Sequence, residues 1–401
     1  MKHRLFLLLL TVLLFPQFMG ATNSSETLPL SNRLDTLLTD TLLARSEVGL
    51  IVYDLTDDTL LYSHQADKLY RPASIQKVMT AVTALKQLGP DHTFNTTLYH
   101  TGHITADSLL QGNLYIVGGF DPLVNRLDIE AFAQAVRHAG IRHIDGKLIG
   151  NASLKDSLKW GSGWCWDDGM PILTPLLSER TDSFLVHLRR SISAQGITLS
   201  DTIDTLVAQA PDSILHQIAV SRRPLTQIMD RMMKKSDNLH AEAVFYQLAA
   251  AQAKRPYATA SDGAKMIHKL IKEVGHQPSH YRMADGSGVS LYNYLSPRLM
   301  MDVLKYAYRH TEIFRPLYLS LPIAGIDGTL KNRMKKTAAY RRVRAKTGTL
   351  TGVISLAGYA ETANKHTLAF VIINQNTLQP RQARAWQDKV CEAICLTGSQ
   401  D

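Results

Sequence analysis

An α+β fold, in which helices cover an antiparallel sheet and a β-rich module is inserted, is predicted by three features of the 401-residue sequence. Short strand-like runs joined by tight turns stand near both ends of the chain, and helix-periodic segments flank them. Between about Phe94 and Ala219 the texture shifts to short strands and turns. A hydrophobic content of 45% with 20% charged residues is that of a globular chain, and the length exceeds one typical core.

In chain order, Met1-Lys2-His3-Arg4 is followed by an apolar run from Leu5 to Leu14, then Pro16 and a small-residue cut after Ala21. This run is too short to span a bilayer and reads as a signal peptide over residues 1–21, so an exported, periplasmic protein is expected. No later segment reads as transmembrane. Residues 22–95 form the first part of the main domain. There Gly49 to Tyr53 and Leu60 to Tyr62 make a hairpin around Asp57-Asp58, which feeds Arg71-Pro72-Ala73. A helix follows from Ser74, with Val78, Ala81, Val82 and Leu85 at helical spacing, until Gly89-Pro90 stops it. Residues 96–219 are the inserted module, including Asn113 to Val117 and the Trp160 to Gly169 segment. Residues 220–401 complete the main domain. Helices are expected at Leu225 to Met233, at Ala241 to Ala250 and after Ser296-Pro297, then strands at Arg341 to Ala345, Val353 to Ala360 and Leu368 to Ile373, and a last helix near Arg381 to Ile394.

The net charge of +9 is dispersed and shows no aromatic-interleaved basic patch, which argues against nucleic acid as a partner. Three cysteines, Cys165, Cys391 and Cys395, are too few for a disulfide framework, and the last two stand four apart on the closing helix, where both pack into the core. Neither H-E-x-x-H nor paired C-x-x-C occurs, so no metal and no other cofactor is expected.

Three short strings carry chemistry: Ser74-Ile75-Gln76-Lys77, Ser236-Asp237-Asn238 and Lys346-Thr347-Gly348-Thr349. A serine hydroxyl needs a base to become a nucleophile, and on a helix Lys77 lies one turn from Ser74. Lysine serves as that base only if burial and a neighbouring cation lower its pKa, and Lys346 is the candidate cation. Unpaired N–H groups at the helix start can hold an oxyanion. Ser236 can relay a proton to a leaving amine, Asn238 can hold both Lys77 and a substrate carbonyl, and Asp237 supports the loop. Lys346 offers charge, Thr347 and Thr349 offer hydroxyls to a carboxylate, and Gly348 lets an extended peptide approach the strand edge. Each string alone has a bland explanation, as a helix cap, a turn or an edge strand. All three in this order do not.

Together the strings are the S-x-x-K, S-D-N and K-T-G set of penicillin-interacting serine acyl-transferases. The chain resembles the D-alanyl-D-alanine carboxypeptidase/endopeptidases of the low-molecular-mass class C penicillin-binding proteins. Arg71-Pro72-Ala73, Asp285-Gly286-Ser287-Gly288, Leu321 through Gly325, Asp327-Gly328-Thr329-Leu330 and Lys346 through Gly352 add to the likeness. The resemblance implies a serine β-lactamase/transpeptidase-like fold and release of the terminal D-Ala from peptidoglycan stem peptides ending in D-Ala-D-Ala, often with cleavage of cross-links. It also implies covalent trapping by β-lactams. By position it makes Ser74 the nucleophile, Lys77 the base, and the N–H groups of Ser74 and Thr349 the oxyanion hole. Asp121, before Pro122, matches the family aspartate that reaches the stem peptide's third residue. Two features depart from the family pattern. Leu291 stands where relatives commonly carry Arg, and the insert is shorter than usual.

Two rival functions share these strings. A β-lactamase would need a deacylation base, and no glutamate motif between the first two strings suits that role. A non-catalytic peptidoglycan-binding scaffold would not need every reactive position intact.

Overall fold

The computed structural model describes residues 29–199, 202–206 and 215–398, so the signal peptide expected at 1–21 lies outside the described residues. The chain opens with α1 (Leu30–Leu38), β1 (Glu47–Asp54), β2 (Thr59–His64) and α2 (Gln76–Gln87). Next come β3 (Thr93–His100), β4 (His103–Ile104), β5 (Leu109–Gln111), β6 (Leu114–Val117), α3 (Arg126–His138), β7 (His143–Ile144) and β8 (Leu148–Asn151). They are followed by α4 (Phe184–Ala194), β9 (Thr198–Leu199), β10 (Ile203–Leu206) and β11 (His216–Pro224). The helices α5 (Leu225–Lys234), α6 (Asn238–Gln252), α7 (Ala260–Glu273), α8 (Pro297–Arg309) and α9 (Thr311–Ser320) lead to β12 (Val343–Leu350), β13 (Val353–Glu361), β14 (Thr367–Gln375) and α10 (Pro380–Cys395).

The main sheet has the order β12-β13-β14-β1-β2 with antiparallel pairs throughout. Its inner strands are apolar on both faces, so they read as continuous runs such as Leu368 to Ile373. Alternate residues serve two cores. Ala369, Val371 and Ile373 face a core shared with α2, α5, α6, α7 and α8, whereas Leu368, Phe370 and Ile372 face one closed by α1 and α10. The sheet is therefore sandwiched between helical layers. Cys391 and Cys395 are buried in the second core as free thiols. Among the described residues, no helix is long and apolar enough to cross a membrane.

Between α2 and α5 the chain builds a sheet of order β10-β8-β6-β3-β11 and a smaller one of order β4-β5-β7-β9. This stretch also carries two helices, α3 and α4, which the pattern of short strands and turns concealed. The topology requires them: β6 pairs with β8 and β8 with β10 in parallel, and parallel neighbours need a crossover. Both helices are amphipathic and bury residues such as Phe132 and Phe184 in a third core.

Two further differences bear on the site. Ser74 sits in a 3-10 turn (Ala73–Ile75) ahead of α2. Lys346 to Thr349 lie within β12, where a turn after Ala345 was expected, because the Gly/Thr-rich string pairs fully with Ile354 to Ala357.

Candidate active site

The turn presenting Ser74 is clamped from two sides. Ala73 adopts a left-handed backbone, with φ at 50°. Its carbonyl oxygen packs against Gly288, where a Cβ would overlap it. On the other side, a Cβ on Gly348 would stand 2.9 Å from Ser74 N and 3.0 Å from Pro72 O, and would collide with Ser355 Oγ. Ser355 Oγ in turn donates to Pro72 O at 2.6 Å. The clearance at Gly348, expected to admit a peptide, is thus used by the protein to bring β12 against the serine turn.

Lys77 is completely buried in α2, a helix with every residue from Gln76 to Leu85 inside. Its Nζ lies 2.8 Å from Ser74 Oγ, 2.7 Å from Asn238 Oδ1 and 2.7 Å from the Ser287 carbonyl oxygen. Burial lowers its pKa to about 8, against the opposing pull of the Asp285, Glu242 and Asp237 carboxylates. Lys346, also buried, donates to Ser236 Oγ at 2.8 Å and to the Thr347 carbonyl at 2.6 Å. Burial first, and then the charge of Lys77, push its pKa well below that of a free lysine. The three strings therefore converge on one chain of contacts: Ser74, Lys77 and Asn238 on one arm, Ser236 and Lys346 on the other.

The second string owes its shape to strain and capping. Ser236 holds a left-handed φ of 57° between α5 and α6. Asp237 caps α6 and pairs with Arg180 at 2.7 Å and Arg231 at 3.0 Å. Despite its burial, contacts from His240, Arg231 and Arg180 hold its carboxyl well below the usual carboxylate range. Its place is structural, as the sequence suggested.

Sequence reasoning passed over the group that sets the Lys77 acceptor. Glu242 Oε1 accepts from Gly286 N at 3.1 Å and Ser287 N at 2.8 Å. Burial, then the charge of Asp285, raise the Glu242 carboxyl to about 8. Asp285 accepts from Gly288 N, Ser290 N and Asn293 Nδ2, and from Trp164 Nε1 at 2.8 Å. Met170 Sδ accepts from Asn238 Nδ2 at 3.3 Å, so the Trp160 to Met170 stretch reaches the catalytic cluster. A signal for Glu242 exists: it is the one acid in an apolar helix, four residues after Asn238 and so on its face. Trp164 and Met170 have no such local signal.

On the outer face of β12, Thr347 Oγ1 donates to Thr329 Oγ1 at 2.7 Å and Thr349 Oγ1 accepts from Arg384 at 3.3 Å. Asp121 is not hydrogen-bonded to any of the three strings. Its buried carboxylate accepts from Leu123 N at 2.8 Å and from Arg223 Nε at 3.0 Å, and Arg223 also holds Asp128. Two groups of metal-ligating atoms stand close together among the described residues, Asp54–Asp57–His366 and Cys165–Asp167–Asp168, and neither includes a residue of this cluster.

The pattern of the D-Ala-D-Ala carboxypeptidase 3 (S13) family matches residues 30–181 and 173–394. The chain is 30% identical over 372 residues to carboxypeptidase DacB of Mycolicibacterium smegmatis, covering 83% of this chain and 78% of that protein. It is 26% identical over 416 residues to D-alanyl-D-alanine carboxypeptidase DacB of Haemophilus influenzae, covering 83% of this chain and 86% of the relative. The crystal structure of penicillin binding protein 4 from Haemophilus influenzae superposes with a TM-score of 0.80 at 24% identity, over 91% of this chain and 98% of that one. A second structure of that protein, complexed with a β-lactam, superposes with a TM-score of 0.73.

Proposed function

The chain belongs to the D-Ala-D-Ala carboxypeptidase 3 (S13) family, and on that premise we propose that it is a serine D-alanyl-D-alanine carboxypeptidase acting on peptidoglycan stem peptides through an acyl-enzyme on Ser74. The observation that carries this assignment is the 2.8 Å approach of Ser74 Oγ to Lys77 Nζ, an amine whose pKa burial lowers to about 8.

Neutral Lys77 takes the proton of Ser74, and Oγ attacks the carbonyl of the penultimate D-alanine. The N–H of Ser74 and that of Thr349, on the edge strand β12, receive the oxyanion. Asn238 keeps Lys77 aimed and supports the substrate. The proton passes through Ser236 to the departing amine, the C–N bond breaks, and D-alanine leaves. Water then attacks the ester with Lys77 again as base. The substrate carboxylate lies along Lys346, Thr347 and Thr349, and its charge favours the protonated form of Lys346, so binding is coupled to proton uptake. A β-lactam reacts by the same attack, but its ring-opened amine stays tethered, which leaves the adduct in place.

The same chemistry cleaves a cross-link when the leaving amine belongs to another stem peptide, and we include that endopeptidase action. For Asp121 we propose a role at the stem peptide's third residue exerted through Arg223, the side chain that its carboxylate orients. Residues 96–219 form a module inserted into the catalytic domain, in support of which Thr93 pairs with Pro224 at its two ends. Since the substrate lies outside the cytoplasmic membrane, the proposed site of action is the periplasm, in keeping with the signal peptide that the sequence predicts at 1–21.

The test is release of D-alanine from an acylated stem peptide ending in D-Ala-D-Ala by the wild type and by Ser74→Ala. Loss of release in the variant with an unchanged melting temperature is expected. Near wild-type release would overturn the assignment, and repeated turnover of a chromogenic cephalosporin would mark a β-lactamase.

A further inference from the structure

At the start of α10, Arg381 and Arg384 line an open hollow of about 650 Å3 together with Thr349, Gln379, Pro380 and Gln382. Two cations in the first turns of a helix oppose its dipole, and α10 has neither an acid in its first turn nor a side-chain cap to offset them. The acid placed to pair with Arg384, Asp388 four residues on, is taken by Arg333 at 2.7 Å. Among the described residues, neither Arg381 nor Arg384 has a carboxylate partner, and the Arg384 side chain donates to the Thr349 hydroxyl. Positive charge is thus gathered here at a cost in folding stability, with no carboxylate among the described residues paired to it.

Its location gives that charge a use. Thr347 and Thr349 are two apart and share the face of β12 turned toward α10, while Lys346 and Gly348 face the serine turn. As β12 is an edge strand, a peptide lying along it meets Ser74 on one side and the hollow on the other. The carboxylate of the cleaved residue is already served by Lys346, Thr347 and Thr349. The hollow is far larger than a single alanine needs.

We propose that this hollow is a second anion subsite, for a carboxylate carried by the leaving peptide when that peptide is itself a stem. Arg381 and Arg384 then favour cleavage of D-Ala cross-links over release of a single D-alanine. The subsite rests on the assignment of Ser74 as nucleophile and of β12 as the substrate strand.

The experiment compares kcat/KM of the wild type, Arg381→Ala, Arg384→Ala and the double variant on three synthetic substrates. These are a stem monomer ending in D-Ala-D-Ala, a cross-linked stem dimer, and the same dimer with the leaving stem's further carboxylates amidated. Acylation by benzylpenicillin, which has no leaving peptide, is measured alongside. The double variant is expected to lose about tenfold or more on the free dimer relative to the monomer, the size of one charge-assisted hydrogen bond. Amidation should cost the wild type as much and the double variant little more, and Arg→Lys at both positions should recover part of the loss. An unchanged dimer-to-monomer ratio with normal penicillin acylation would overturn the subsite and leave the carboxypeptidase assignment standing. Failure of the wild type to be acylated would remove that assignment, and the subsite with it.

Discussion

The carbonyl oxygen of Ala73 occupies the space that a Cβ on Gly288 would fill. The turn presenting the nucleophile is therefore fitted against bare backbone of the Asp285–Gly288 loop, and the same loop supplies the carbonyl that aims Lys77.

Gly288→Ala should displace that turn, and φ at +83° adds strain for any side chain there. The expected result is a loss of about a hundredfold in acylation rate, typical of an ångström-scale misplacement. It should come with a stability loss of about 1–3 kcal/mol. Acylation kinetics and thermal melting measure the two. An unimpaired acylation rate would show that the clamp does not position Ser74.

The depressed pKa of Lys77 sets the pH dependence. Below about 8 the amine is protonated and cannot take the serine proton. The second-order rate of acylation by benzylpenicillin should climb about tenfold per pH unit up to that point and level off above it. A flat profile between about pH 6 and pH 9 would mean that the base is another group.

Glu242→Gln keeps an acceptor for Gly286 N and Ser287 N but removes a carboxyl whose folded pKa, about 8, lies above its ordinary value of 4.5. A raised carboxyl pKa contributes stability that is complete below the unfolded value and is lost as pH rises through the folded one. The melting temperature of the wild type relative to the variant should therefore fall across that window. Because the Glu242 charge raises the Lys77 pKa, the variant's acylation profile should also move to lower pH. A shift in stability without a shift in that profile would make Glu242 merely structural.

The legible parts of this chain were those with local signatures. The hairpins, α5, α8 and α10 follow from spacing and turn residues, and the three strings mark Ser74, Lys77, Ser236, Asn238 and Lys346 because the chemistry constrains residue type and order. The rest depends on long-range contact. Trp164 meets Asp285, which is 121 residues away in sequence, through one hydrogen bond, and Met170 meets Asn238 across 68 residues. Arg384 becomes notable only once Asp388 is seen to be taken by Arg333. The helices α3 and α4 were hidden because their need comes from parallel pairing of strands that no local pattern announces.

Asp121→Ala leaves Arg223 and Asp128 without their buried third member. Because Arg223 keeps Asp128, the expected destabilisation is that of one lost buried contact, about 1–3 kcal/mol. Calorimetric melting, with hydrolysis of full stem peptides and of short acyl-D-Ala-D-Ala, separates the roles. A stable variant that fails only on full stem peptides would place Asp121 directly on the substrate.

The central claim is that Ser74 becomes acylated with Lys77 as its base. Intact-mass spectrometry of the protein after exposure to benzylpenicillin, followed by peptide mapping, tests it most directly. One penicilloyl adduct on the peptide containing Ser74 is expected, with none in Ser74→Ala and a strongly slowed appearance in Lys77→Ala. An adduct on another residue, or full labelling of Ser74→Ala, would contradict it.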